Sequence, residues 1–399
     1  MGRLGHGRTG RRAVIGAFPA EEYARRISAT RALMGLRGLT TLCLVGPENI
    51  CYLTGLSSQG YFAFTMLVLP LSGQPLLVAR AVEAETLAAQ VPQCRHVAFQ
   101  DGDDPARCAA DAVREVSYPH RTVAVEKAST YLSVRSWERF RAALSDRLLV
   151  DGSGLVDSLR AVKSPAEIEC VRKAAAISDL ALRAGIDATR PGVNEREVAA
   201  ALHATMIRAG GEYSGFVPLV RSREILLHEH VTWRDHVVPE GDALFLELAG
   251  VVARYHAPMS RMVYLGSAPP GTDVAAGIAL DGLEAVREAL RPGSIAADIY
   301  AAWQKVVDNG LGHTRYRRHH CGYLTGIGFP PSWVGGNAVV GLRHDSDLVI
   351  AEGMVFHVLS WILGQEPADY VISDTVLVTP GGGEILTTTQ RSPIIRKEG

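Results

Sequence analysis

Gly241-Asp242-Ala243-Leu244-Phe245-Leu246-Glu247-Leu248-Ala249-Gly250, continuing through Arg254-Tyr255-His256-Ala257-Pro258-Met259-Ser260-Arg261-Met262-Val263-Tyr264, combines strand character with a carboxylate at its centre. Apolar and β-branched residues dominate and glycine punctuates the ends. This predicts two strands, Ala243 to Ala249 and Ser260 to Leu265, joined by a short turn near Gly250. Glu247 stands mid-strand. A carboxylate there is costly to bury unless it is paired, hydrogen-bonded or protonated. Alternation alone would turn it to solvent, while the flanking Leu246 and Leu248 leave the inward orientation open.

Around this stretch, helices alternate with further strands. Ser164 is placed as an N-cap, with Pro165 at the first helical position and Glu167 completing a capping box. The helix so opened runs through Cys170, Ala174, Ile177, Leu180 and Ala184. Further helices are expected from Asn194 to Ala209, Asp273 to Leu290 and Ile295 to Asn309. Strands are expected at Phe216 to Val220, Val355 to Trp361 and Tyr370 to Val378. Helices on a largely antiparallel sheet make residues 158–399 an α+β domain. Ahead of it, a helix opens at Pro19 and another runs from Val82 to Gln90. Strands at Leu39 to Val45, Tyr61 to Leu69, Gln74 to Ala79 and Thr122 to Val125 complete an α/β domain over residues 19–157. Residues 1–18, with Arg3, Arg8, Arg11 and Arg12, read as a disordered basic tail.

Composition narrows the function classes. Of 399 residues, 47% are hydrophobic and 21% charged, the balance of a soluble globular chain. A formal net charge of −1 gives no electrostatic case for nucleic acid or an anionic membrane as partner. No apolar run approaches the roughly 20 residues of a membrane span, and the N-terminus lacks a signal-peptide core. The six cysteines show no C-x-x-C pairing, which argues against a zinc knuckle or disulfide framework and for reduced thiols in the cytoplasm.

Spaced motifs along most of the chain resemble the creatinase/aminopeptidase P/methionine aminopeptidase family. They are Glu48-Asn49-Ile50-Cys51-Tyr52-Leu53-Thr54-Gly55, Leu159-Arg160-Ala161-Val162-Lys163-Ser164, Glu352-Gly353-Met354-Val355-Phe356 and Ser373-Asp374-Thr375-Val376-Leu377-Val378-Thr379. The resemblance implies an N-terminal creatinase-like α/β domain followed by a pita-bread catalytic domain, a small-molecule substrate, and usually a homodimer. Metal-dependent members hold two divalent ions through two aspartates, a histidine and two glutamates. Carried over one at a time, these positions fall on Glu247, Pro258, Tyr323, Leu359 and Ser373. Proline and leucine offer no side-chain ligand, and serine and tyrosine are poor ones. A dinuclear metal site is therefore not expected, and no other cofactor is implied.

Creatinase and ectoine hydrolase are the metal-free members, and both hydrolyse C–N bonds in small amidine-type molecules. Arg254-Tyr255-His256-Ala257-Pro258-Met259-Ser260-Arg261 and Tyr323…Gly326-Ile327-Gly328-Phe329-Pro330-Pro331-Ser332-Trp333 look most like ectoine hydrolase. Val371 replaces a glutamate found there, so the chemistry is expected to persist on an altered substrate. The resemblance gives Glu247 the role of nucleophile or water-activating base, and His230 that of general acid and base. His256 and His357 stand as substrate contacts or as satisfied core histidines. Tyr323 and Trp333 stand as walls for a flat cation or as core, with Tyr255, the family tyrosine, beside them. Asp374 stands as a holder of a histidine or a substrate cation, or as one end of a salt bridge. Arg221 and Arg223 read as carboxylate contacts or a solvated pair, and Arg315 to His320 as surface. The expected activity is metal-independent hydrolysis of a non-peptide C–N bond in a small cyclic amidine or N-acyl amino acid. An elimination or rearrangement enzyme, or a non-catalytic module binding a peptide or partner protein, are the other readings of the same pocket.

Overall fold

The helix start expected at Ser164 is present. Ser164 Oγ accepts from the Glu167 backbone N–H at 3.4 Å, and the Glu167 carboxylate accepts from the Ser164 backbone N–H at 2.9 Å. Both are amides that a helix or its cap would otherwise leave without a partner. The computed structural model describes residues 17–335 and 338–397. The basic tail expected over 1–18 lies, as far as residue 16, outside the described residues. The chain divides into two compact units, residues 1–156 and 157–399.

The first unit contains α1 (Ala20–Leu36), β1 (Thr41–Leu44), α2 (Pro47–Thr54), β2 (Met66–Pro70), β3 (Leu76–Arg80), α3 (Ala84–Gln90), β4 (Arg95–Phe99), α4 (Pro105–Val116), β5 (Thr122–Val125), α5 (Val134–Ala143) and β6 (Leu148–Asp151). Its strands form one mixed sheet in the order β4-β3-β2-β1-β5-β6. Cys43, Val68, Val78 and Val123 pack with Ala109 and Val113 of α4 and Phe140 of α5. The strand expected over Tyr61 to Leu69 is half right. Its first part is a 3-10 turn, Gln59–Phe62, because the Ser58 side chain accepts from the Gly60 N–H at 3.0 Å and offers the backbone a local bond in place of a ladder. A short helix, α6 (Leu155–Ala161), carries the division between the units.

The second unit begins with α7 (Pro165–Ala188) and α8 (Glu195–Arg208), then β7 (Leu219–Ser222), β8 (Ala243–Val252) and β9 (Tyr255–Leu265). It continues with α9 (Thr272–Ala289), α10 (Ala296–Leu311), β10 (Gly322–Leu324), β11 (Val355–Ile362), β12 (Tyr370–Thr379), β13 (Gly382–Ile385) and β14 (Ile394–Arg396). The strands order as β10-β11-β12-β9-β8-β7, with β13 on β12 and β14 on β9. One face is apolar and carries the helices. Leu244, Leu246, Leu248, Met259 and Val263 pack with Ile177 and Ala181 of α7 and Val198 and Leu202 of α8. Phe356, Val358 and Ile372 share a core with Ala279 of α9 and Trp303 of α10. Each buried leucine, isoleucine, valine, phenylalanine or methionine among them contributes about 1.5–3 kcal/mol by leaving water. Alternation then turns Phe245, Glu247 and Ala249 to the other, inner face.

The turn near Gly250 is corrected. β8 runs on to Val252, and the hairpin turns at Ala253 and Arg254, with φ of 52° and 66°. A type I′ hairpin turn needs positive φ at both central places, and here the chain meets that need without glycine. Gly250 is reserved for packing: a Cβ there would stand 2.3 Å from the Ala174 carbonyl of α7. Ser178 uses the close approach, accepting from the Gly250 N–H at 2.7 Å and donating to the Ala257 carbonyl at 2.6 Å. Among the described residues, no helix is long and apolar enough to cross a membrane.

Candidate active site

Cross-strand register assembles the site. Leu219, Glu247 and Ser260 stand opposite one another on β7, β8 and β9, and Ser260, Ser373 and Leu359 on β9, β12 and β11. Residues directly opposite share a face, so this row crosses the centre of the inner face. His357 lies two residues from Leu359 on β11 and opposite Tyr323 of β10. Glu247 and His357 thus meet although they are far apart in sequence, with Oε1 3.8 Å from Nε2.

A line of hydrogen bonds runs through His357. Trp333 Nε1 donates to Tyr323 Oη at 2.9 Å, Tyr323 Oη lies 2.8 Å from His357 Nδ1, and His357 Nε2 lies 2.7 Å from Ser373 Oγ. Ser373 Oγ is in turn 2.7 Å from Ser260 Oγ. An indole N–H can only donate, so Tyr323 accepts there, and its own proton is assigned to His357 Nδ1. The neutral imidazole then carries its proton on Nε2 and donates to Ser373, whose proton passes to Ser260. Burial keeps both groups neutral: it pushes the Tyr323 phenol up and His357 down to about 3, the latter with help from His320.

Burial also pushes the Glu247 carboxyl up to about 7, against the attraction of Arg221 and with repulsion from Glu229. The folded state therefore holds a proton that the unfolded carboxyl releases above its ordinary value near 4.5. Stability from this group is complete below that pH and falls by about 3 kcal/mol as pH rises to about 7. His256 and His357, both pushed down to about 3, act with the opposite sign, losing stability as pH falls below the ordinary imidazole value. The Glu247 part is isolated by melting wild type and Glu247→Gln side by side. Wild type is expected to lose stability relative to the variant from pH 4.5 to 7, and a pH-independent difference would show that Glu247 is not held protonated.

The remaining expected residues separate into mouth and scaffold. His230 is exposed with φ of 62°, its ring stacked on Phe216 at 6.1 Å. Phe216 meets Trp333 edge-on at 4.8 Å, so His230 sits on an aromatic path leading to the buried network. The other three are corrected as substrate contacts. His256 is saturated: Nδ1 donates to the Arg254 carbonyl at 2.8 Å and Nε2 accepts from the Gly215 N–H at 2.9 Å, so no ring nitrogen is left for a ligand. Tyr255 donates its hydroxyl proton to Glu167 at 2.5 Å and ties β9 to the start of α7. Asp374 accepts from Arg261 at 2.8 Å, Arg391 at 2.7 Å and Thr387 at 2.6 Å, a buried ion cluster rather than an open cation site. Arg315 to His320 is only partly surface. Arg318 pairs with Glu229 at 2.8 Å and lies over the Trp361 ring, and Tyr316 is buried with its hydroxyl on the Trp361 carbonyl. Trp361 and Phe245 were not singled out, since in sequence they are apolar strand positions like their neighbours.

The donor set does not suit a dinuclear metal site. Of the five family ligand positions, only Glu247 supplies a carboxylate; Pro258 and Leu359 supply nothing, and the Tyr323 and Ser373 hydroxyls are engaged with His357. Among the described residues, no group of three or more His, Cys, Asp or Glu is placed to hold a metal ion.

Comparison with known proteins agrees with the fold. Ectoine hydrolase of Halomonas elongata is 29% identical over 95% of this chain and 98% of its own. The probable dipeptidase PepE of Mycobacterium tuberculosis is 29% identical over 92% of this chain and 94% of its own. Among solved structures, the prolidase of Thermococcus sibiricus superposes with a TM-score of 0.84 at 22% identity, covering 95% of this chain and all of that one. The family described as creatinase/prolidase N-terminal domain matches residues 26–162, and metallopeptidase family M24 matches residues 169–380. The chain therefore belongs to metallopeptidase family M24, a family of hydrolases, and joins a creatinase-type N-terminal domain to a pita-bread domain.

Proposed function

We propose that the chain is a metal-independent hydrolase of a non-peptide C–N bond in a small cyclic amidine or N-acyl amino acid. The supporting observation is a buried carboxylate with a near-neutral pKa, beside a neutral histidine, where the family's metal ligands are otherwise replaced. The likeness to ectoine hydrolase supports the substrate class. A carboxyl poised near pH 7 is matched to proton abstraction. Glu247 takes a proton from water as the water oxygen bonds to the amidine or amide carbon. The C–N bond then breaks, and His230 protonates the leaving nitrogen. Water is excluded elsewhere by the walls of Tyr323, Trp333 and Phe216, which also present aromatic faces to a cationic ring.

The test is turnover of ectoine, hydroxyectoine and creatine by EDTA-treated protein in isotopically labelled water. One solvent oxygen per product without added metal is expected. Activity that chelation abolishes and a divalent ion restores would overturn metal independence, and an unlabelled product would indicate elimination or rearrangement. Added mass from substrate on the intact protein would make Glu247 the nucleophile rather than the base.

A further inference from the structure

Two buried N–H donors on the inner face lack a partner among the described residues: Arg221 Nε and Trp361 Nε1. They border the same ring. Arg221 is 1% exposed on β7, stands opposite Phe245, and holds Cζ 4.4 Å from the centroid of that ring. Trp361, on β11, meets Phe245 edge-on with centroids 5.4 Å apart. Arg221 Nη1 donates to the His228 carbonyl at 2.6 Å, but the guanidinium has no carboxylate within ion-pair distance among the described residues. Glu247 and Glu229 reach it only through longer-range attraction. Arg318, with Cζ 5.0 Å from the Trp361 ring centroid, is already neutralised by Glu229.

A buried guanidinium without a counter-charge is costly, and so is an orphaned indole N–H. Both groups donate and neither accepts, so what completes them is an anion with lone pairs to spare. A carboxylate has one oxygen for each and suits the planar guanidinium. Phe245 precedes Glu247 by one strand repeat on the same face, a separation of roughly 7 Å.

We propose that Arg221 and Trp361 form a carboxylate subsite bordering Phe245, so that the substrate carries a carboxylate about one strand repeat from the bond that reacts at Glu247. The position of the reacting bond rests on the proposed hydrolase reading; the anion subsite does not. With a cationic amidine at Glu247 and an anion at Arg221, the preferred ligand is a small zwitterion. Simple amidines and guanidines without an acid group bind poorly.

Calorimetric titration of the Glu247→Gln protein tests this without turnover. The probes are ectoine, N-acetyl-2,4-diaminobutyrate and N-acetylalanine, each paired with its carboxamide, which lacks only the acid's negative charge. At least one acid is expected to bind about tenfold or more tightly than its amide. Arg221→Gln, added to Glu247→Gln, is expected to erase that preference. Trp361→Phe keeps an aromatic ring while removing the N–H along with part of the indole, and is expected to weaken acid binding severalfold while changing amide binding less; it carries the test if the Arg221 variant does not fold. No preference for any acid, or a preference that survives loss of both donors, overturns the subsite. Acid preference without hydrolysis in wild type removes the hydrolase reading alone, and hydrolysis without acid preference removes the subsite alone.

Discussion

Glu247→Gln is expected to lower kcat by about 10²–10⁴-fold, the span of a positioned general base, while leaving the fold intact. Glutamine keeps the volume and both polar atoms but cannot accept a proton from water. The same change is expected to raise stability above pH 7. There the wild-type chain must hold a desolvated carboxylate on the inner face, and the variant holds a neutral amide. Activity lost and stability gained at one position is the signature of a group kept for chemistry rather than for folding. Steady-state kinetics and urea unfolding on the same samples read both effects. Turnover within tenfold of wild type would remove Glu247 from the mechanism.

Arg261→Met is expected to cost about 3–5 kcal/mol of stability, because it leaves a buried carboxylate short of a counter-charge. Arg261 is fully buried, and its Nη2 lies 2.8 Å from Asp374 Oδ1. The same guanidinium donates to the carbonyls of Ser260 at 2.7 Å, Ser373 at 2.8 Å, Gln390 at 2.7 Å and Thr389 at 2.7 Å. It therefore pins the backbone under the two serines that end the His357 hydrogen-bond line. A coupled loss of kcat is expected, since Ser260 and Ser373 move with their carbonyls. The double variant Arg261→Met with Asp374→Leu is expected to recover part of the stability, because the buried carboxylate is removed and the charge it leaves behind, Arg391, is partly exposed to solvent. Urea unfolding giving a loss below about 1 kcal/mol for the single variant would show that Arg391 and Thr387 suffice to hold Asp374.

The secondary structure was legible wherever a local rule decided it. The capping box at Ser164 and the strands at β8, β11 and β12 followed from residues that are neighbours in sequence. The β8–β9 turn was not legible, because Ala253 and Arg254 take positive φ where glycine or asparagine would have signalled it. Nor could sequence orient Glu247. Leucines flank it because both faces of the strand are buried, which removes the polar alternation that marks a solvent face. His256 and His357 looked equivalent, and only partners from distant segments separate them: backbone groups saturate the first, and Tyr323 and Ser373 draw the second into the site. Arg318 read as one of several surface charges until Glu229 and Trp361 were brought beside it.

The order of donors through Trp333, Tyr323, His357, Ser373 and Ser260 also limits what the line can carry. A proton wire conducts only if its terminal group can surrender a proton and later recover one. An indole N–H does neither at any physiological pH, so the wire is closed at that end and cannot be rewound after a single transfer. The line is a fixed dipole, holding imidazole and hydroxyl hydrogens in one orientation around the carboxylate. On the proposed hydrolytic reading, a proton needed at Glu247 has to come from outside this line.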